Sequence, residues 1–592
     1  MTLPTYKIEV AFNAGVTTPA ASRTWTDVTA YVLLDSGIDI PTYGRGDWRS
    51  TADANTLRLT LNNSDGRFTA GRTGSPYFPN VRLGRPIRVT ATVGGVSSVR
   101  FLGFVDEWPL DWPAAVGTFA TAQITASSRI AWLNEGTELR SIIEEEYLVD
   151  APVAYYTLGE AAGAASAGDT SGNSAPALVA GGTGAAVSFG VATGPGTDGL
   201  TAAQFAGGQY LRAATGVLSA VEGFLSTTTT PASSAFVAQS LQLDFVNGGT
   251  TSAVDVHIDT AGKLHGVAPG GVDIATTASV NDGVTHHFAF VASGSILSPT
   301  WTLYLDGASV GAPAAGGSLV STFNLLVGVG YTGVLAHVAV AAFGLGASRV
   351  AAHAAAGRTG FAGETPAARI TRYASYADIP ATELSLDTGQ VPGLTHIDTT
   401  GSTSVDMMRK VEATEEGILF DRADGLLGFH DRAHRYSASP SFVLDVTLGQ
   451  VGAAPQSRLD RTVLRNDVTA ANPDGTLTAH ITNASSVTNY GPARESLEVA
   501  TSNADEVFEH ASWLVNQYNE PQPRIPQLTV NLNNFTDAQT QAILAAAVST
   551  RFTVKGMPSQ AATSSQDYYV EGYSESIGEA RHSITFNISQ AQ

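Results

Sequence analysis

The sequence predicts a mainly β protein of several domains. Three observations predict it. Apolar residues recur at every second position through most of the chain, Gly and Pro punctuate these runs, and helical spacing is confined to a few short stretches. Strict alternation puts one face of a strand into a core and the other into water. Tyr6, Ile8, Val10 and Phe12 alternate with Lys7 and Glu9, and Leu57, Leu59 and Leu61 with Arg58 and Thr60. Ile87, Val89, Ala91 and Val93 alternate with Arg88, Thr90 and Thr92, and Ile584, Phe586 and Ile588 repeat the pattern near the end. With 592 residues, the chain has room for roughly three to five domains.

Composition narrows the function classes. Hydrophobic residues make up 43% and charged residues only 14%, with a net charge of −21. Such a surface repels phosphate, so no stable nucleic-acid binding is expected, and docking on anionic lipid is disfavoured. The chain has no cysteine, which removes disulfides and thiolate metal sites. No apolar run reaches the length of a membrane span. MTLPTYKIEV lacks a basic and then apolar leader, so no secretory signal is expected.

A shift in composition marks a middle segment. Residues 151–361 hold 10 acids and 4 bases, whereas the other residues hold 43 acids and 28 bases. Gly, Ala, Ser and Thr fill the middle, yet strands run through it: LQLDF (241–245), AVDVHID (253–259), HHFAFVA (286–292), WTLYLDG (301–307) and HVAVAAF (337–343). The segment reads as a self-contained antiparallel β-sandwich. Four parts result: a small β-barrel over 1–150, the inserted sandwich over 151–361, a small α/β segment over 362–455, and a second β-barrel with one helix over 456–592.

Helices are few. In 503–518, Val507, Phe508, Ala511, Leu514, Val515 and Tyr518 share one face, with Ser502 or Asn503 as cap. A second helix runs from Thr403 to Glu416, capped by Ser402, with Gly417 in the left-handed position after it. ILFDRADGLLGFHDR (418–432) then reads as a hairpin about Asp424-Gly425. A third helix is expected at 364–377.

The two ends of the chain resemble each other. LRLTLNN (57–63) matches LTVNLNN (528–534), RPIRVTA (85–91) matches TRFTVKG (550–556), FLGFVD (101–106) matches VEGYSE (570–575), and ATAQITAS (120–127) matches HSITFNIS (582–589). The four matches keep the same order and similar spacing, which predicts two copies of one small barrel. Three such chains would present six like units in a ring, the simplest way for a trimer to meet a six-fold object.

Two family resemblances add to this. TLRLTLNNSDGRFTAGRTGSPYFPNVRLGRPIRVTA (56–91), with Asn63, Asp65-Gly66-Arg67-Phe68 and Ser75-Pro76-Tyr77, resembles minor tail, or tail hub, proteins of phages that infect actinobacteria. EEGILFDRADGLLGFHDRAHR (415–435), NYGPARESL (489–497) and NEPQPRIPQLTV (519–530) fit the same family. That family in turn resembles the trimeric baseplate hub of contractile tails, with two related barrels per chain. The middle is similar to a concanavalin A-like, laminin-G-type jelly roll, on DAPVAYYTLGEAAGAASAGDTSGN (150–173), QFAGGQYLRA (204–213) and WTLYLDGASVG (301–311). The resemblance implies a virion protein at the tail tip, made in the host cytoplasm. Its expected partners are two further copies, tail tube and distal tail proteins, a tape-measure protein, tail fibre or tip proteins, and a host-surface glycan at the lectin-like module. The alternative is a secreted carbohydrate-binding or glycan-degrading protein.

Candidate chemistry is sparse. His430 and His434 form H-x-x-x-H, which could hold zinc on a helix, but the segment reads as strand and loop. His286-His287 reads as a surface or edge pair. Glu144-Glu145-Glu146 and Glu415-Glu416 read as solvated carboxylates. Asp255 and Asp259 come nearest to a glycosidase pair. Asp169, Asn173 and Asp198 could bind Ca²⁺ but fit turns. Trp301 reads as core. Tyr331, beside Gly330 and Gly333, is the one candidate glycan-binding residue. No catalytic residue, metal ligand or cofactor is expected, and no enzymatic activity.

Overall fold

A computed structural model describes residues 3–112, 119–216, 219–244, 249–295, 297–317, 323–342, 344–436, 438–452 and 455–591. It is mainly β, as the alternation predicts. The chain forms two compact units: Met1–Thr137 with Gly363–Leu394 and Thr403–Gln592, and Glu138–Ala362 with Thr395–Ser402.

The first unit holds a 13-stranded sheet in which the two matched ends of the sequence lie side by side. Four strands of the N-terminal part run in the spatial order Pro86–Val93, Val96–Glu107, Thr121–Ser127, Thr56–Asn62, each antiparallel to the next. The C-terminal part repeats the order with Arg551–Lys555, Ser565–Ile577, His582–Gln590 and Gln527–Asn531, again antiparallel throughout. The repeat is therefore one of strand order and direction. Register is not conserved, since Ile87 faces Gly103 whereas Phe552 faces Tyr568 rather than Gly572.

Each copy also has its two edges bridged. In the first, Thr5–Val10 pairs with the Pro86 edge and with Thr26–Asp27, and Leu33 N–H then donates to Thr60 on the opposite edge. In the second, Val443–Asp445 pairs with the Arg551 edge, and Gly452 N–H reaches Thr529. Bridged edges leave fewer free backbone groups to pair with foreign strands.

Strand Ile38–Gly44 joins the copies, pairing with Thr56–Asn62 on one side and Ser565–Ile577 on the other. The cores interleave accordingly. Tyr43, Ala91 and Val93 pack among Phe552, Tyr573 and Phe586, while Ile577 packs with Ile38, Leu59 and Val89.

Smaller elements pack with this sheet in the same unit. Ile418–Asp421 and Leu427–His430 form the expected hairpin, with Gly425 at φ +89°. Helix Ser404–Glu415 precedes it, but Thr403 and Asp406 make the capping box rather than Ser402, and Glu416, not Gly417, takes the left-handed position at φ +53°. Helix Pro366–Tyr376 lies in the expected place. Helix Ala504–Tyr518 is capped by Asn503 and packs Val507, Ala511, Leu514 and Val515 on a three-stranded sheet. Phe508, expected on that face, is exposed, because its position falls to the side of the buried stripe.

The second unit is a sandwich of two eight-stranded sheets. One core lies between them: Tyr156, Phe205, Phe288, Phe290, Trp301 and Leu303 from one sheet meet Leu211, Val237, Val256, Leu264 and Val327 from the other. Trp301 is fully buried, as its alternation with Leu303 and Leu305 predicts. Helices Ile142–Val149 and Ala347–Thr359 pack together at the two ends of this unit's sequence. The first begins at a Ser141–Glu144 capping box, whereas the second, rich in Ala and Gly, has no strong sequence signal.

The junction strand sets a test. A Cβ at Gly572 would lie on the carbonyl oxygen of Tyr43, whereas at Gly578 the nearest atom is 3.7 Å away. Gly572→Ala should cost about 1–3 kcal/mol and lower hydrogen-exchange protection along Ser565–Ile577, with Gly578→Ala close to wild type. Equal effects would mean that the close approach does not constrain the strand.

Candidate functional site

Strand Ser565–Ile577 carries two buried glutamates that hold the first unit together. Glu575 accepts from Arg100 of the first copy at 2.8 and 3.0 Å, and from His582 Nε2 at 2.5 Å. His582 Nδ1 lies 2.8 Å from the Tyr6 hydroxyl. Arg100 also donates to the Leu544 carbonyl and lies 5.0 Å from the Tyr573 ring centroid, and Tyr573 stacks on Tyr43 at 4.2 Å. Burial alone would raise the Glu575 carboxyl, but Arg100 and His582 outweigh it and hold it at about 2.

Glu571 accepts from Arg45 at 2.7 Å and from Arg435 at 2.7 and 2.9 Å, with a further bond from Ser589. Against the upward pull of burial, the two guanidiniums hold its carboxyl far below the usual range. Glu571 and Glu575 share a strand face with the buried Tyr573 and Ile577, whereas Ser574 and Ser576 of the other face reach solvent.

A cleft of about 480 Å³ opens beside this network, lined in part by Trp48, Arg49, Arg435, Trp513 and Tyr518. Trp48 stacks on Tyr518 at 3.9 Å, and Trp513 meets Tyr518 edge-on. Each lining arginine has a carboxylate partner: Arg45 and Arg435 on Glu571, Arg49 on Glu495, Arg409 on Glu412, Arg432 on Glu506, and Arg524 on Asp460. The cleft therefore offers an aromatic, charge-balanced surface suited to recognition by shape.

In the second unit the polar groups gather between the two helices and one sheet. Glu146 and Asp150 hold Arg349 at 2.6 and 2.8 Å. His353 lies 2.9 Å from Asp150 and 2.9 Å from Glu222, and Tyr147 stacks on its ring at 4.3 Å. His287 Nε2 is 3.5 Å from Glu222 and 3.3 Å from the Tyr147 hydroxyl. A second chain links Tyr155 to His337 at 2.6 Å and His337 to Asp198 at 2.5 Å, all buried. Desolvation pulls His353 down, but Glu222 and Asp150 outweigh it and push the imidazole up to about 9. Burial lowers His287 despite the nearby Glu222 carboxylate.

His287 is fully buried and is no surface pair with His286, because Glu222 and Tyr147 give its ring partners inside. Glu146 and Glu415 are buried, not solvated. Arg349 satisfies the first, and the amides of Gln390 and Val391 donate to the second at 2.9 Å. Tyr331 is only 1% exposed, its hydroxyl bonded to the Ser226 carbonyl at 3.0 Å. A buried ring offers no sugar platform, so the exposure behind that candidate is absent.

The other candidates fall as follows. His430 and His434 lie on a strand and the loop after it and stack in parallel at 3.6 Å, a geometry that does not converge on one ion. Burial, with His434 and Arg435 nearby, lowers His430 to about 3. Asp169 closes a turn through Ser171 and Ala175, Asn173 bonds the Pro152 carbonyl at 2.8 Å, and Asp198 pairs with His337. Asp255 and Asp259 pair with His257 and His265. Among the described residues no group of three or more His, Asp or Glu side chains could hold a metal ion, and no helix is long and apolar enough to cross a membrane.

No protein-family model matches the chain, and no curated protein matches it. Among solved structures, the 43 kDa tail protein of prophage MuSo2 from Shewanella oneidensis aligns over 99% of this chain and 97% of its own, at 9% identity and a TM-score of 0.38. A tail protein from Neisseria meningitidis aligns over 63% of this chain and 97% of its own, at 11% identity and a TM-score of 0.28. Domain 4 of an extracellular arabinanase from Geobacillus stearothermophilus, in complex with arabinotriose, aligns over 34% and 98%, at 15% identity and a TM-score of 0.26. These scores are too low to establish a shared fold.

The helix network gives a pH prediction. The folded pKa of His353 lies above its ordinary value of 6.5, so its contribution is fully present below 6.5 and is lost as pH rises through about 9. Hydrogen-exchange protection of Ala347–Thr359 should fall between about pH 6 and about pH 10, and His353→Gln should flatten that slope. A wild-type slope that persists in the variant would remove His353 as its source.

Proposed function

We propose that this chain is a structural subunit of a phage tail tip, a baseplate-hub-like protein that adapts a six-fold tail tube to a three-fold tip. The observation that carries the reading is the duplicated sheet: two four-stranded sheets of the same order and direction, fused through Ile38–Gly44 into one body. Three chains of this kind offer six like sheets, so a trimer meets a hexameric ring without a symmetry gap. The resemblance of 56–91, 415–435 and 519–530 to tail hub proteins supports the same reading.

In this reading the chain has four parts, with hub barrels at 1–150 and 456–592, a small α/β segment at 362–455, and a lectin-like jelly roll at 151–361. The partners are two further copies, tube and distal tail proteins, a tape-measure protein, and fibre or tip proteins. The jelly roll contacts the host envelope. Since Tyr331 is buried, a glycan surface is better sought on the outer face of the sheet that carries Val256 and Leu264 inward. There His257 and His265 stack at 5.0 Å beside Phe236, with Asp255, Asp259 and Asp273 around them. Rings flanked by carboxylates suit the apolar face and hydroxyl groups of a sugar. No catalytic role is proposed. The surplus of acids over bases outside 151–361 fits a channel wall that does not retain DNA.

Reconstruction of the assembled particle tests this reading. Three copies of the chain about the tail axis are expected, with the two sheets of each chain at successive positions of a pseudo-six-fold ring. Six or twelve copies, or a position away from the axis, would contradict it.

A further inference from the structure

We propose that a cavity in the first unit, between residues 16–18, the Arg129–Asn134 helix and residues 376–383, binds a small oxyanion, a carboxylate or phosphate. The cavity has a volume of about 320 Å³ and is lined by Arg129, Trp132, Thr18 and Glu383 among others. It is separate from the aromatic cleft, and the inference does not rest on the tail-tip reading.

Charge carries the argument first. Arg23 and Arg129 are both nine-tenths buried and share a single carboxylate, that of Glu383. Arg129 Nη2 donates to Glu383 Oε2, and Arg23 Nη2 stands 3.9 Å from the same oxygen. Glu383 Oε1 is already taken by the Ala20 N–H at 2.9 Å. Two buried cations thus share one carboxylate at ion-pair distance, and the other buried acid that acts on Arg129, Asp421, is held by the Ser128 hydroxyl and the Ile130 amide rather than by a guanidinium. Asp378, the other acid on the lining, is solvent-exposed, so its field is screened. Burial costs a charge several kcal/mol unless a partner is present. Burial, with the second guanidinium adding to it, holds Arg23 below its ordinary value despite Glu383.

Unused donors make the second, independent argument. Arg129 Nε, Arg23 Nη2 and the indole Nε1 of Trp132 are out of contact with solvent and find no hydrogen-bond acceptor among the described residues. Arg23 Nε, by contrast, is satisfied by the Thr18 carbonyl at 3.1 Å. Buried donors are nearly always paired, and two orphans on lining residues, Arg129 and Trp132, with a third on Arg23 beside Glu383, point to an acceptor that the described residues do not supply. A neutral ligand would meet the donors but leave the charge. A cation would add to it. An oxyanion meets both needs, with oxygens placed to accept from a guanidinium and an indole at once.

Titration calorimetry on the full chain tests the proposal, with sodium phosphate and sodium acetate as probes and sodium chloride at equal ionic strength as reference. Saturable binding of phosphate or acetate, absent with chloride, is expected. Phosphate alone assigns the site to free phosphate. Acetate binding assigns it to a carboxylate, such as an acidic side chain of a partner. Trp132→Phe keeps the ring and removes one donor, and Arg129→Lys keeps the charge and removes the fork. Each should weaken binding about tenfold or more while leaving the circular dichroism unchanged. No saturable binding of either oxyanion, equal binding of chloride, or unchanged affinity in both variants would overturn the proposal.

Discussion

The first unit depends on two buried carboxylates on one strand. Glu571 and Glu575 lie four residues apart on Ser565–Ile577, the strand through which the C-terminal sheet meets the N-terminal one. Glu575 takes Arg100 from the first copy, and Glu571 takes Arg45 from the first copy and Arg435 from the segment between. Hydrophobic packing alone would let two similar sheets slide, since alternating strands offer many equivalent registers. A buried guanidinium with one carboxylate in reach fixes one placement, because any slip strands a charge in a dry interior.

That constraint explains why the duplication survives in strand order but not in register. Asp106 occupies the place in FLGFVD that Glu575 has in VEGYSE. Yet Asp106 accepts from the Ser127 hydroxyl at 2.5 Å, with no guanidinium bonded to it among the described residues, and burial raises its carboxyl. The two copies do unlike work at like positions: one supplies the arginines, the other the acids. Once they are fused, the copies are free to diverge in pairing while the set of strands stays the same.

Much of this architecture was legible in the sequence, and the limits have physical causes. Period-two alternation located the strands of both copies, and the Asp424-Gly425 turn located its hairpin, because backbone pairing imposes those patterns locally. Helices Ile142–Val149 and Ala347–Thr359 escaped notice. The second is rich in Ala and Gly, and its place is set by Arg349 and His353 reaching Glu146, Asp150 and Glu222, partners distant in sequence. The same cause hid His287 and Glu415, whose burial depends on partners brought by the fold. Tyr331 misled in the opposite direction: flanking glycines suggested a loop tip, but they mark a tight turn that folds the ring inward. The cavity beside Arg129 had no sequence signal at all, since Arg23, Arg129 and Glu383 meet only in three dimensions.

The two copies form one body because the Arg100–Glu575 pair locks them. A double-mutant cycle on the full chain measures it directly. Arg100→Met and Glu575→Gln should each cost about 3–5 kcal/mol, since each leaves a buried partner unmatched. The double variant should cost clearly less than their sum, with loss of protection spreading through both sheets. Costs that add to within about 0.5 kcal/mol, or loss of protection confined to one sheet, would contradict the account.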